Sequence, residues 1–350
     1  MFVEFKRGTT SDPSYSDNRL QFEKLFEKTC ATRGRIVLYS TRLQKYQFRT
    51  CAFSIGIFGD VARLFRWDRA GAIFSEPILY CRAGNCELAE FLCRFDLMDR
   101  TQRGWDPTVF DATSEEAAAF DDAIKTIVRD GKNELLKTLI DSVGNKVNYP
   151  RRRIEIFVPN TKEDGRAVSY IVGRSIAHAR SPIGRATRGF VAMSKDTGKL
   201  VFLKDSWRPD ILGMMGEGHW FGKLEGARNI SAFLHGSDVR SVVVRRRGVA
   251  MMPRHLKNPL QRTLTDSYSE DYGGIQRMVG YIHYRTVQCE LYVPLDMFKD
   301  SRHLTQIAHD AIIGTSAFSS VQLPPLKLLQ RYRIYTIGGS FIETSASRTL

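Results

Sequence analysis

The sequence is poor in the residues that build metal centres and disulfide frameworks. It has 6 cysteines in 350 residues, at Cys30, Cys51, Cys81, Cys86, Cys93 and Cys289, and no two of them form a C-x-x-C pair. No histidine occurs before His178. A zinc site built on Cys81, Cys86 and Cys93 would need distant ligands, so reduced, partly buried thiols are the simpler reading and no metal site is expected. Long apolar runs are also missing: none reaches the roughly 18 residues that cross a bilayer. The opening "MFVEFKRGTT" has no apolar h-region and does not read as a signal peptide. The expectation is a protein of the cell interior, in cytoplasm or nucleus, with no membrane partner. No internal repeat is visible.

Acidic residues are in deficit, 38 against 52 lysines and arginines, for a net charge of +14. That balance permits nucleic acid or acidic surfaces as partners without requiring them. "RRR" occurs at 151–153 and again at 245–247, both expected in solvated linkers or loops.

What is present suffices for a core: 43% of the residues are hydrophobic, and the length fits two domains. "FVEFKR" alternates like a short strand, and "RLQFEKLFEKTC" and "GRIVLYSTRLQKYQ" have helical spacing. "CAFSIGIF", "VARLFRWD" and "AIFSE" read as strands joined by tight turns, and "ELAEFLCRFDLM" as an amphipathic helix. Residues 114–148 are helical in pattern, with Ser114, Glu115 and Glu116 as a capped start. "NYPRRR" marks a change of composition. Strands follow at "RIEIFVP", "AVSYIVGRSI", "GFVAMSKD", "KLVFLKDS", "DVRSVVVRRR" and "MVGYIHYRTVQCELYVP". "EGHWFGKLEGARNI" is a weaker helix. "DSRHLTQIAHDAII" is a helix capped by Asp300 or Ser301.

One constellation carries chemistry. Gly184, Ala186, Gly189 and Val191 fit G-x-G-x-x-G-x-V with alanine at the second glycine, and Lys204 follows thirteen residues later in "VFLK". A glycine-rich loop folding over phosphates, followed by a strand lysine, is an arrangement that binds the phosphates of ATP. Glu217 opens the next helical segment and is the natural partner for a lysine among apolar neighbours. An ordinary β-meander whose lysine snorkels to solvent fits the pattern equally well.

Resemblance extends this. "GRATRGFVAM", "LVFLKDSWR", "HYRTV" and "PLDMFKDSRHLTQIAHDAI" resemble the fungal-type protein kinases. So do "FRTCAFSIGIFGDVARLFRWDRAGAIFSE", "LAEFLCRF" and "QRGWDPTV". The resemblance spans residues 1–314, and "LKDSWR" and "RWDRAGAIFSE" are its most specific pieces. It implies a kinase-like small lobe, with Lys204 as the ATP lysine, Glu217 as its helix partner and Gly184 to Val191 as the phosphate loop. The strand end at Gln288, Cys289 and Glu290 would be the adenine hinge. The implied activity is transfer of the ATP γ-phosphate to protein serine or threonine.

The same resemblance shows a gap. The family continues into H-R-D-x-x-x-x-N and D-F-G, which supply the catalytic base and the magnesium ligands. Neither motif occurs in this sequence. The expectation is a truncated, catalytically incompetent member with weak or vestigial ATP contacts and no catalytic residue or magnesium ligand retained. The last residues carry a second reading. One permitted codon set for Phe341–Leu350, read from its third base, spells H-R-D-I-S-V-A-N-I and fits the missing motif. A retained intron or shifted splice near Gly314 would explain that.

In the first half, Glu4-x-Lys6 on a strand, then a helix and two strands, follows the order of a restriction-endonuclease-like core. The aspartate strand that should precede it is expected to be absent, so a non-catalytic domain is the main reading. A basic nucleic-acid-binding protein is the alternative function. The expected fold is thus α+β in three parts. Residues 1–149 form an endonuclease-like α/β domain with a helical trailer. Residues 150–314 form a protein-kinase-like small lobe with the first large-lobe helix. Residues 315–350 form an aberrant, disordered tail.

Overall fold

The computed structural model describes residues 1–13, 27–129, 135–145, 147–158, 166–177, 181–224, 229–241, 260–271, 278–291 and 298–320. Part of the helix expected over 19–30, most of the strand expected over 238–247, and residues 321–350 with their alternative reading lie outside the described residues.

The described residues form two sheets. β1 (Phe2–Lys6) pairs in parallel with β2 (Ala52–Phe58), and α1 (Glu27–Tyr46) lies in the connection that a parallel pair requires. β2 turns at Gly59, which sits at φ +64, into antiparallel β3 (Val61–Trp67), followed by β4 (Ala72–Phe74). Ile36 of α1 packs on Ala52, Phe58, Phe65 and Trp67, so this sheet has a small core of its own. α2 (Glu87–Leu97) follows and buries none of its residues.

The second sheet begins earlier than the composition change implies. β5 (Val109–Asp111) is its edge strand, and α3 (Ser114–Arg129) and α4 (Leu136–Val143) follow. Then come β6 (Arg152–Val158), β7 (Arg166–Val172), β8 (Arg188–Ser194), β9 (Leu200–Pro209), α5 (Glu217–Lys223), β10 (Phe233–Asp238) and β11 (Tyr281–Gln288). The strand order is β10-β11-β9-β8-β7-β6-β5, antiparallel throughout.

Each face of this sheet has a different cover. One face carries Ile154, Ile156, Val168, Tyr170, Phe190, Val201 and Leu203. On the other, Ile171, Val191 and Met193 pack against Phe120, Ile124 and Leu139 of α3 and α4. The helices expected to trail the first domain are therefore built onto the second sheet, and a boundary at residue 149 would cut through one packed layer. The physical reason is mutual: each amphipathic helix needs an apolar surface, and so does the sheet face it covers.

Two helix ends differ from expectation. α3 is capped by Thr113, not Ser114: the Thr113 hydroxyl accepts from the Glu116 N–H at 3.2 Å and the Glu116 carboxylate accepts from the Thr113 N–H at 3.0 Å, a reciprocal capping box. α6 (Ser301–Ser320) starts at Asp300, whose carboxylate accepts from the His303 N–H at 2.7 Å, and it continues six residues past Gly314. A helical glycine costs only about 1 kcal/mol, and no proline follows until Pro324, so Gly314 does not end the helix. The tail expected from 315 is thus helical through Ser320.

Candidate functional site

β9 is where strand alternation separates two kinds of charge. Leu200 joins the α3–α4 face, so Phe202 and Lys204 lie on that face, and Leu203, Asp205 and Trp207 on the opposite one. Lys204 sits in mid-strand, opposite Gly189 of β8 and Thr286 of β11. Its ammonium donates to both carboxylate oxygens of Glu217, at 2.7 and 2.8 Å. Glu217 is the first residue of α5, and Gly216 and Gly218 beside it let the helix lie close on β11. A Cβ at either glycine would come within 3 Å of the Tyr284 ring or hydroxyl. The Tyr284 hydroxyl accepts from the Gly218 N–H at 2.9 Å, which fixes the start of the helix.

Glu217 has a second cation that sequence reasoning passed over. Arg185, between the two residues of the glycine motif that open it, donates to Glu217 Oε1 at 2.6 Å. Burial works to raise the Glu217 carboxyl, and Lys204 and Arg185 outweigh it, so its pKa is net lowered. Two cations share one acid, and all three side chains are about a quarter exposed (25%, 27% and 28%). A surplus positive charge at a solvent-accessible point is suited to an anion.

The glycine motif is divided between loop and strand. Gly184 (φ +91) and Ala186 (φ +42) lie in the loop that leads into β8, whereas Gly189 and Val191 belong to β8 itself. Gly184 needs its positive φ; Ala186 adopts the same region at some steric cost. The N–H of Gly184 donates to Arg69 O at 2.8 Å and that of Gly189 to Ala177 O at 2.9 Å, so neither glycine amide is free to cradle a phosphate in this conformation. A Cβ at Gly189 would lie 2.9 Å from the Phe202 ring, so that ring covers the glycine next to Lys204. Phe202 stands where the V-A-I-K pattern has alanine.

The strand end read as a hinge is anchored to the start of β10. Gln288 is the last residue of β11, the Cys289 N–H donates to Ala232 O at 2.9 Å, and Glu290 accepts from the Ala232 N–H at 3.0 Å and Ser231 Oγ at 3.2 Å. Beyond it, Leu291 and Leu200 pack toward α3 and α4. An open groove of about 550 Å³ remains there, lined by Ala123, Ile127, Leu135, Lys199, Leu200 and Leu291 among others, and its lining includes neither Lys204 nor Glu217.

On the other face of β9, Asp205 anchors a buried network. It accepts from Arg188, from His283 Nε2 at 2.5 Å and from Arg285 Nε at 3.1 Å. Arg285 reaches Asp106 at 2.6 Å and Thr108 at 2.7 Å, and His283 Nδ1 meets Gln261 Oε1 at 2.7 Å. Burial alone would raise the Asp205 carboxyl; His283, Arg188 and Arg285 hold it well below the usual range. Burial pushes the His283 imidazole down, against the pull of Asp205. Trp207 stacks on His283 with ring centres 4.6 Å apart.

In the first sheet, Glu4 and Lys6 pair with each other at 2.6 Å. Among the described residues no group of three or more His, Cys, Asp or Glu could hold a metal ion.

Among known protein families, the one described as fungal protein kinase matches residues 27–321. This chain belongs to the fungal protein kinase family. No curated protein and no solved structure matches it. The family match and α6 both run past Gly314, to residue 321 and Ser320. In family terms the fold is a mixed α+β arrangement, and no helix among the described residues is long and apolar enough to cross a membrane.

Proposed function

We propose that this fungal protein kinase chain keeps the phosphate-contact end of an ATP site and does not itself transfer phosphate. The observation that carries the reading is the Lys204–Glu217 pair, set on β9 and α5 beneath a loop that adds Arg185. When a nucleotide enters, its phosphates compete with Glu217 for the two cations. Lys204 and Arg185 then supply charge-assisted hydrogen bonds to the phosphate oxygens.

The geometry supports weak binding. The amides of Gly184 and Gly189 are already bonded, and Phe202, which pairs with Gln288 on the Lys204 face, covers Gly189. The groove at Leu200 and Leu291 is lined by neither Lys204 nor Glu217. Magnesium would neutralise phosphate charge in a complete site, where the D-F-G aspartate and the H-R-D-loop asparagine hold it, and this sequence has neither motif. The sequence has no H-R-D base and no D-F-G aspartate, so positioning of ATP leads to no in-line transfer by these residues. A protein remains the partner class the family implies.

The experiment is ATP binding by calorimetry beside a radiolabel transfer assay. Weak binding lost on Lys204→Met, with no incorporation of phosphate, is the expected result. Phosphate transfer that disappears in Lys204→Met would overturn the reading.

A further inference from the structure

"RWDRAGAIFSE" lies more than a hundred residues before Lys204 and takes no part in the reading above. The structure brings its turn to the loop that carries Arg185. Asp68–Gly71 links β3 to β4 and is closed by the Asp68 N–H to Gly71 O at 2.9 Å and by the Ala70 N–H to Asp68 Oδ1 at 2.9 Å. Arg69 projects from this turn and is 3% exposed. Its carbonyl accepts from the Gly184 N–H at 2.8 Å, and its guanidinium donates to Pro182 O at 3.0 Å. The guanidinium also lies 5.9 Å from the Trp207 ring. The Trp207 N–H donates to Arg185 O at 2.8 Å, which completes a ring of contacts: Arg69, Gly184, Arg185, Trp207.

The turn is itself held from behind. Asp68 Oδ2 accepts from the N–H groups of Leu264 and Thr265, at 2.8 and 3.0 Å, and from Arg66 at 2.9 Å. Arg69 by contrast is poorly satisfied. Its Nε is buried without a hydrogen-bond partner, and burial, aided by the nearby Arg188, pushes its pKa down to about 9. A buried guanidinium so placed is costly, and an apolar side chain of similar volume would serve stability as well or better. What the Arg69 side chain adds is its hydrogen bond to the loop at Pro182.

We propose that the Asp68–Gly71 turn is a latch from the first sheet that positions the phosphate-contact loop, with Arg69 as the positioning residue that delivers Arg185 to Glu217 and to a nucleotide's phosphates. This rests on the nucleotide reading of Lys204. Arg69 touches no phosphate; its side chain acts through Pro182, and its backbone carbonyl holds Gly184. The two most family-specific stretches, "RWDRAG" and "LKDSWR", thereby form one device: the first holds the loop and the second supplies Lys204 beneath it.

The test uses the full chain with Arg69→Met and Arg69→Lys. Two readouts are needed: hydrogen exchange over residues 181–187 and ATP affinity. Arg69→Met should keep the melting temperature, raise exchange in 181–187 at least several-fold, and weaken ATP binding about tenfold, one hydrogen bond's worth in affinity terms. Arg69→Lys should restore part of both. Wild-type ATP affinity and wild-type exchange in Arg69→Met would overturn the latch, as would a global loss of protection with a lowered melting temperature, which marks a purely structural residue. If the wild-type chain binds no ATP while Arg69→Met loosens 181–187 alone, the nucleotide reading has failed and the proposed purpose of the latch falls with it.

Discussion

Adjacent residues of β9 place two charged groups on opposite faces of one sheet, and they are built in opposite ways. Asp205 is 2% exposed and meets Arg188, His283 and Arg285. Lys204 is a quarter exposed, and the acid it meets is shared with one competitor, Arg185. In the buried network Asp205 and Arg285 each hold several partners and Arg188 leans on Asp205, so none can change partner without leaving another stranded in low dielectric. At Lys204 the acid holds one cation too many, and solvent can reach all three groups. The first arrangement fixes structure; the second is free to exchange Glu217 for a phosphate.

Substitutions should break this comparison in order of size. Asp205→Ala strands Arg188 and takes from Arg285 one of its two acids, and should cost about 3–5 kcal/mol, seen as a lowered midpoint of the urea transition. A loss below about 1 kcal/mol would mean the network is not the structural anchor. Phe202→Ala acts on the Lys204 face and should cost about 3 kcal/mol through cavity formation. It should also tighten ATP binding, because the ring no longer covers Gly189. Unchanged or weaker ATP binding in a folded Phe202→Ala protein would contradict the covered-site account.

A smaller effect sharpens the contrast with a third kind of buried group. His235 of β10 meets the Tyr170 hydroxyl at 2.9 Å, and burial, with Arg166 nearby, lowers its pKa from 6.5 to about 4. The unfolded chain therefore binds a proton that the folded chain does not over that interval. Stability from this group is full above about 6.5 and declines as pH falls toward about 4. His235→Gln should flatten that part of a melting-temperature profile against pH. The carboxylates Glu217, Asp106 and Asp205 are lowered, so their contribution is present above the ordinary carboxylate range and is lost only at more acid pH.

Much of the fold was legible because local pattern decides it. The β8–β9 hairpin, the strand that ends at Gln288 and the helix from Ser301 follow from period and turn chemistry. The Lys204–Glu217 pairing followed from the cost of leaving a strand lysine unpaired. The cover over that face was not legible. α3 and α4 announce amphipathic faces, but periodicity does not say which sheet they meet, and the basic stretch after Tyr149 looked like a linker. Arg151 in fact lies 3% exposed at its side chain and bonds Asp121 of α3 at 2.8 Å. Arg185 was missed because an arginine in a glycine-flanked turn reads as solvated. The Asp205 network did leave a signal. Asp205, His283 and Arg285 sit at alternating, inward positions of otherwise apolar strands, and charges there require one another. Arg69 left none beyond its motif, since nothing local connects it to a loop so far along the chain.

ATP titration of the wild-type chain beside Lys204→Met and Arg185→Met tests the central claim most directly. The account predicts a wild-type Kd weaker than about 1 μM (a binding free energy of magnitude below about 8 kcal/mol). It predicts further weakening in Arg185→Met and no measurable binding in Lys204→Met, with the melting temperature little changed in either because Glu217 keeps its other cation. Submicromolar ATP binding, or binding that survives Lys204→Met, would contradict it.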